Sequence, residues 1–290
     1  MLRKFRTIAQ HAALAAAFLA VVAHSQTYRV VERIGDFQDA TAFEFQNDLF
    51  YVADAGADNV FAIDGKGDVV ASGDGFGWEP GYFDDPFDVD ASTLNVFVAD
   101  RNNRRVQLFD RKLRYVGERS GDYLADIEFG YLVGCAVSPM GDLYALDAEN
   151  RRVMKFGFDG EFKDAFGDHR DGAYALVDPV DLETYGNRFV LVIDGERLLA
   201  FNPFGGGELV VALPEPALDV RVEFSIAERK EARVLLVAER TLYLADLETP
   251  DRNPRLLDLE PIDESFVGAL FLGERIAALT PSAIYLYAPD

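Results

Sequence analysis

The sequence predicts an all-β chain folded as a six-bladed β-propeller, on three observations. Related segments recur about every 45 residues, each unit divides into four short strands separated by polar or glycine turns, and no segment after the N-terminal leader carries a 3.6-residue hydrophobic period. Such units cannot bury both faces alone, so neighbouring sheets pack around a common axis.

In chain order the first element is Met1 to Ser25: a basic start, an apolar run from Ala12 to Ala23, and the small-residue cleavage site Ala23-His24-Ser25. It reads as a secretory signal, too short to span a membrane, so the expectation is a protein exported to the periplasm, cell surface or extracellular space. Residues 26–290 are then a single domain. Tyr28 to Ile34 is an orphan strand resembling the fourth strands of later units. The last unit stops after its third strand, Ala283 to Ala288, so pairing the orphan into that blade is expected to close the ring.

Three segments align between these ends: Phe50 to Asp64, Val96 to Asp110 and Leu143 to Gly157. Their shared Asp falls at 54, 100 and 147, with a fourth copy at Asp194, giving spacings of 46, 47 and 47. Ala238 and Thr280 continue the register in weaker form. The second unit predicts strands at Phe87 to Ala91, Asn95 to Ala99, Arg105 to Asp110 and Leu113 to Glu118.

Composition narrows the function classes. The 290 residues are 49% hydrophobic and 12% aromatic, enough for a large core and incompatible with general disorder. The formal charge is −22, and removing Arg3, Lys4 and Arg6 with the leader takes it to −22 − 3 = −25, which argues against a nucleic-acid partner. Cys135 is the only cysteine, which excludes an internal disulfide and points to a buried thiol.

Asp100, Asn103, Arg105 and Val106 in DRNNRRV, preceded by Gly81-Tyr82-Phe83-Asp84-Asp85-Pro86, resemble the NHL-repeat consensus, and Asp147, Asn150, Arg152 and Val153 repeat it. The likeness is full over units two and three, partial over unit one and fainter beyond. It implies a six-bladed propeller and leaves the chemistry open, since such propellers include lyases, lactonase-like hydrolases, sensors, scaffolds and RNA binders.

The repeated Asp, Asn and Arg suit a structural role: Asp capping the next turn, Asn tolerating a left-handed backbone there, Arg pairing with a carboxylate. Arg101, Arg104, Arg105, Arg151, Arg152, Arg197 and Arg240 all fall in turns between second and third strands, where they can form a cationic arc for an anionic ligand or acidic partner. Trp78, among Gly73, Gly75 and Gly77, is placed to be presented to a ligand or partner. Asp88, Asp181 and Asp219 occupy equivalent first-strand positions, with Ala42, Cys135 and Gly268 read as their counterparts. If first strands line the axis, the three carboxylates are candidate Ca²⁺ ligands, a placement that resembles the axial metal site of lactonase-like propellers.

Catalytic sets are sparse. His169 is the only His after the leader, which weakens His-ligated zinc or iron and Ser-His-Asp chemistry alike. The expectation is a non-catalytic, monomeric binding or scaffold module for a protein or ligand, needing no cofactor. A Ca²⁺-dependent hydrolase of lactones or esters is the alternative.

Overall fold

Six antiparallel sheets follow one another along the chain in a computed structural model that describes residues 26–91, 94–121, 127–223, 233–248 and 253–290. The leader lies outside the described residues. Blade one comprises Ala40–Gln46, Leu49–Asp54, Asn59–Ile63 and Val69–Ser72. Blade two comprises Pro86–Ala91, Asn95–Asp100, Arg105–Asp110 and Tyr115–Ser120. Blade three is Leu132–Val137, Leu143–Asp147, Arg152–Phe156 and Phe162–Phe166, and blade four is Pro179–Tyr185, Phe189–Asp194, Arg197–Phe201 and Gly207–Ala212. Blade five ends on a two-residue strand: Asp219–Glu223, Arg233–Val237, Leu242–Ala245 and Arg255–Leu256.

Blade six contains Gly268–Leu272, Arg275–Leu279, Ile284–Pro289 and the orphan strand Thr27–Ile34. The orphan pairs antiparallel with Ile284–Pro289 from Tyr28↔Pro289 to Ile34↔Ile284, which closes the ring as the sequence predicts. Asp258–Leu259 then adds in parallel to its outer edge. In blade six this pairing covers the edge that Ile284–Pro289 would otherwise leave open.

Apolar side chains on the two faces of each sheet build the core in six wedges, one between each pair of neighbours. Between blades one and two, Tyr51, Val60 and Ala62 meet Val89, Val96, Val98 and Phe109. Between blades three and four, Tyr144, Leu146 and Phe166 meet Leu182, Val192 and Phe201. Two loop aromatics wedge between blades: Phe83 is fully buried 5.5 Å from Phe109, and Tyr174 stands edge-on to Phe201.

The fourth strand of blade two starts at Tyr115, two residues beyond the expected Leu113. Asp110 accepts the amide N–H groups of Lys112 and Arg114, and Leu113 takes a left-handed φ of 54°, so these residues form the turn. The repeated Asp residues are wholly buried clamps. Asp54 accepts Gln38 and Asp39 N–H, Asp100 accepts Asp84 N–H, and Asp194 accepts Val177 and Asp178 N–H, each fastening the chain entering its own blade. Asn103 and Asn150 donate side-chain N–H to Asp100 and Asp147. The left-handed position belongs to the next residue, Arg104 (φ 52°) and Arg151 (φ 53°).

Candidate functional site: the axial acid cavity

The first strands face the axis, and alternation along each one sends every second side chain inward. Strand register defines two stacked layers. The upper layer holds Ala42, Asp88, Gly134, Asp181, Asp219 and Gly268, paired with Ala53, Ala99, Leu146, Ile193, Val237 and Leu279 on the second strands. The blade-three counterpart of Asp88 is therefore Gly134 and not Cys135. A bulge between Leu132 and Gly134, matched in blades one, two and four, sets that register. Two residues on, the lower layer holds Glu44, Asp90, Ala136, Glu183, Arg221 and Leu270.

The upper carboxylates stitch blades together. Asp88 accepts Cys135 N–H at 2.7 Å, Asp181 accepts Val220 N–H at 2.8 Å, and Asp219 accepts Ala269 N–H at 3.0 Å. In each case the donor follows the counterpart residue of the next blade. Asp90 repeats the contact one layer down, on Val137 N–H at 2.6 Å. First-strand amides facing the axis lack ladder partners there, and a carboxylate supplies a charge-assisted one.

Arg221 enters this ring of acids. Its guanidinium lies 3.2 Å from Asp219, 3.8 Å from Glu183, 3.9 Å from Asp88 and 4.0 Å from Asp181, with its side chain 8% exposed. Burial alone would lower its pKa, but Asp219, Asp181, Asp88 and Glu44 outweigh that and hold it firmly charged. Burial raises all six surrounding carboxyls above the usual range. Asp90 is pushed up to about 7, first by burial and then by Glu44. One guanidinium among six carboxyls leaves the cluster strongly acidic once they ionise.

Asp88, Asp181 and Asp219 thus converge on the axis as the sequence suggests, but their surroundings do not fit Ca²⁺. Backbone amides already engage an oxygen of each, and the Arg221 guanidinium stands among them. Among the described residues, no group of three or more His, Cys, Asp or Glu is placed to hold a metal ion.

The lower layer opens to solvent. Glu44, Asp90 and Glu183 are only half-buried and form the floor of a cavity of about 650 Å³ whose walls include Leu94, Phe97, Phe156 and Phe158. A cavity of about 390 Å³, sharing Glu44 and Glu183, reaches Arg221. Turns from first to second and from third to fourth strands make this mouth. Those bordering the larger cavity carry Leu94 and Phe158, exposed by 71 and 83%.

The arginine turns lie on the opposite face, where most of their charge is spoken for. Arg105 is buried against Asp100 and Glu118, Arg152 pairs with Asp147, and Arg197 pairs with Asp194. Arg101 bonds Asp85 over the Phe87 ring, Arg104 lies between Glu149 and Tyr131, and Arg240 donates to the Ile262 carbonyl. Arg151 is exposed, as is Trp78 at 76%. His169 is solvated, and burial, with Asp88 and Asp90, pushes the Cys135 thiol well up.

Sequence reading missed Glu44, Asp90, Glu183 and Arg221. The signal was period two itself: Asp88-x-Asp90, Asp181-x-Glu183 and Asp219-x-Arg221 extend the recognised positions along the same inward-facing side.

No protein-family profile and no curated protein matches the chain. Solved structures do. A catalytically inactive virginiamycin B lyase from Staphylococcus aureus, determined with quinupristin, is 12% identical with a TM-score of 0.62 over 86% of this chain and 80% of its own. U3-55K is 12% identical with a TM-score of 0.66 over 89% and 98%, and the RRP9 WD40 repeats are 10% identical with 0.64 over 90% and 98%. At these identities the likeness shows the β-propeller fold alone. No helix among the described residues is long and apolar enough to cross a membrane.

Proposed function

We propose that this chain is an exported, non-catalytic binding module of the NHL-repeat type that takes its ligand at the axial cavity mouth. The cavity carries this reading: about 650 Å³, with an acidic floor and an exposed apolar rim, on a closed rigid ring. The arginine face supports recognition less well because its guanidinium groups are mostly satisfied within the chain. Cys135 is buried and His169 is solvated, so neither joins a nucleophile–base pair. The basic-apolar leader supports export.

A fragment library screened by thermal shift, with each fragment recovered and weighed by mass spectrometry, tests this. Binders that raise the melting temperature, emerge unchanged and lose their effect in the rim variant Leu94→Trp are the expected result. Fragments converted to product, lactones and esters included, would make the protein an enzyme. Shifts that persist in Leu94→Trp would move the binding site elsewhere.

A further inference from the structure

Four outer strands end on one pattern: Ile34, Ser72, Ser120 and Phe166 each close a fourth strand, and each precedes Gly-Asp. Two of them plug the seam to the next blade. Ile34 is 2% exposed with Gly67 of the blade-one turn against it, and Phe166 is 4% exposed with Gly205 of the blade-four turn against it. At the seam between blades two and three the place is nearly as deep, Ser120 being 7% exposed, but a serine is too small to fill it. A cavity of about 370 Å³ lies there, and its lining includes Tyr115, Glu118, Arg119, Ser120 and Phe156.

The polar groups of this cavity lack an anion. Arg119 lies so close over Gly160 that any side chain there would strike it, and its hydrogen bond is from Nη1 to the Glu118 carbonyl. No carboxylate among the described residues pairs with it, in a chain whose formal charge is −22. Glu118, the carboxylate in the lining, is already engaged by Arg105 at 3.0 Å. Ser120 Oγ is a buried hydroxyl without a hydrogen-bond partner. Beside them Phe156, 1% exposed, supplies an apolar wall.

We propose that this seam cavity binds a small organic monocarboxylate. Its carboxylate pairs with Arg119 and brings an acceptor to Ser120, and its apolar body rests on Phe156 and Tyr115, filling the place that Ile34 and Phe166 fill in their own seams. An inorganic anion would leave the Phe156 wall uncovered, a dianion would meet Glu118 with one guanidinium to balance it, and a cation would face Arg119. Arg119 and Phe156 also line the cavity of about 650 Å³, so the two cavities adjoin, but the seam site stands whether or not the axial mouth takes a ligand.

3-Phenylpropanoate and its neutral amide, 3-phenylpropanamide, are titrated calorimetrically into the purified protein. The acid is expected to bind about 10-fold tighter than the amide or better, and Arg119→Gln to remove that margin. Ser120→Ile, which supplies the plug present at Ile34, is expected to raise the melting temperature and to abolish binding of both probes. Equal binding of acid and amide, no binding of either, or an acid margin that survives Arg119→Gln overturns the proposal. Acid binding that persists in Ser120→Ile and is lost in Leu94→Trp places the acid in the axial cavity and overturns the seam site.

Discussion

Replacing Arg221 by Leu removes the single cation of the axial cluster while keeping a side chain that fills much of its space. Asp219 at 3.2 Å is the nearest partner, and a unit pair at that separation is worth about 5 kcal/mol at an effective dielectric of about 20. Most of that is offset by the cost of burying the guanidinium, whereas deleting it strands charges already buried, which costs about 3–5 kcal/mol. The loss depends on pH. Carboxyls whose folded pKa lies above the unfolded value bind more protons when folded, so their ionisation erodes stability as pH rises from about 4 upward. Without Arg221 that erosion steepens. Urea unfolding followed by tryptophan fluorescence and circular dichroism at pH 4 and pH 8 should therefore show Arg221→Leu losing about 3–5 kcal/mol at pH 8 and markedly less at pH 4. A loss under about 1 kcal/mol, or one equal at both pH values, would refute the view that Arg221 neutralises ionised acids on the axis.

Four further outcomes follow from the same geometry. Asp100→Ala leaves the Asp84 amide without its acceptor and takes from the buried Arg105 guanidinium one of its two carboxylates, Glu118 remaining, and should cost about 3–5 kcal/mol in urea unfolding, whereas exposed Arg151→Ala should stay within about 0.5 kcal/mol. Deleting residues 27–34 bares the edge of Ile284–Pro289, so size-exclusion chromatography should show oligomers or aggregate; an intact monomer with the native urea midpoint would show that closure contributes nothing. The Cys135 thiol, buried and held protonated beside Asp88 and Asp90, should resist a disulfide reagent at pH 8 until urea unfolds the chain. Excess Ca²⁺ after chelator treatment should leave the melting temperature unchanged, and a clear rise with stoichiometric metal would restore the axial Ca²⁺ site.

Spacing alone made the ring legible, because each blade must repeat the same strand–turn–strand path to present equal faces to its neighbours, and Asp54, Asp100, Asp147 and Asp194 mark that path at the same strand end. The closing strand was legible for a related reason: a fourth-strand pattern with no partner in its own unit has to find one across the ring. Single-position errors came from features that leave no apolar signature. The bulge after Leu132 moved the axial place from Cys135 to Gly134, and the Asp110 turn delayed the next strand. The arginine turns mark the limit of a composition argument, since sequence brings seven guanidinium groups to one face but does not say that Asp100, Asp147 and Asp194 already engage three of them.

The sequence by itself determined the number of blades, their strand order, the closure of the ring and the axial position of Asp88, Asp181 and Asp219. Those depend on periodicity, which a linear chain carries openly. Only the tertiary structure decided what those carboxylates do. Residues from blades one, two, four and five that are up to 177 positions apart, as Glu44 and Arg221 are, meet on the axis, where burial raises the acids and a guanidinium stands among them. Charge, burial and distance combine there in three dimensions, and no stretch of sequence contains that sum.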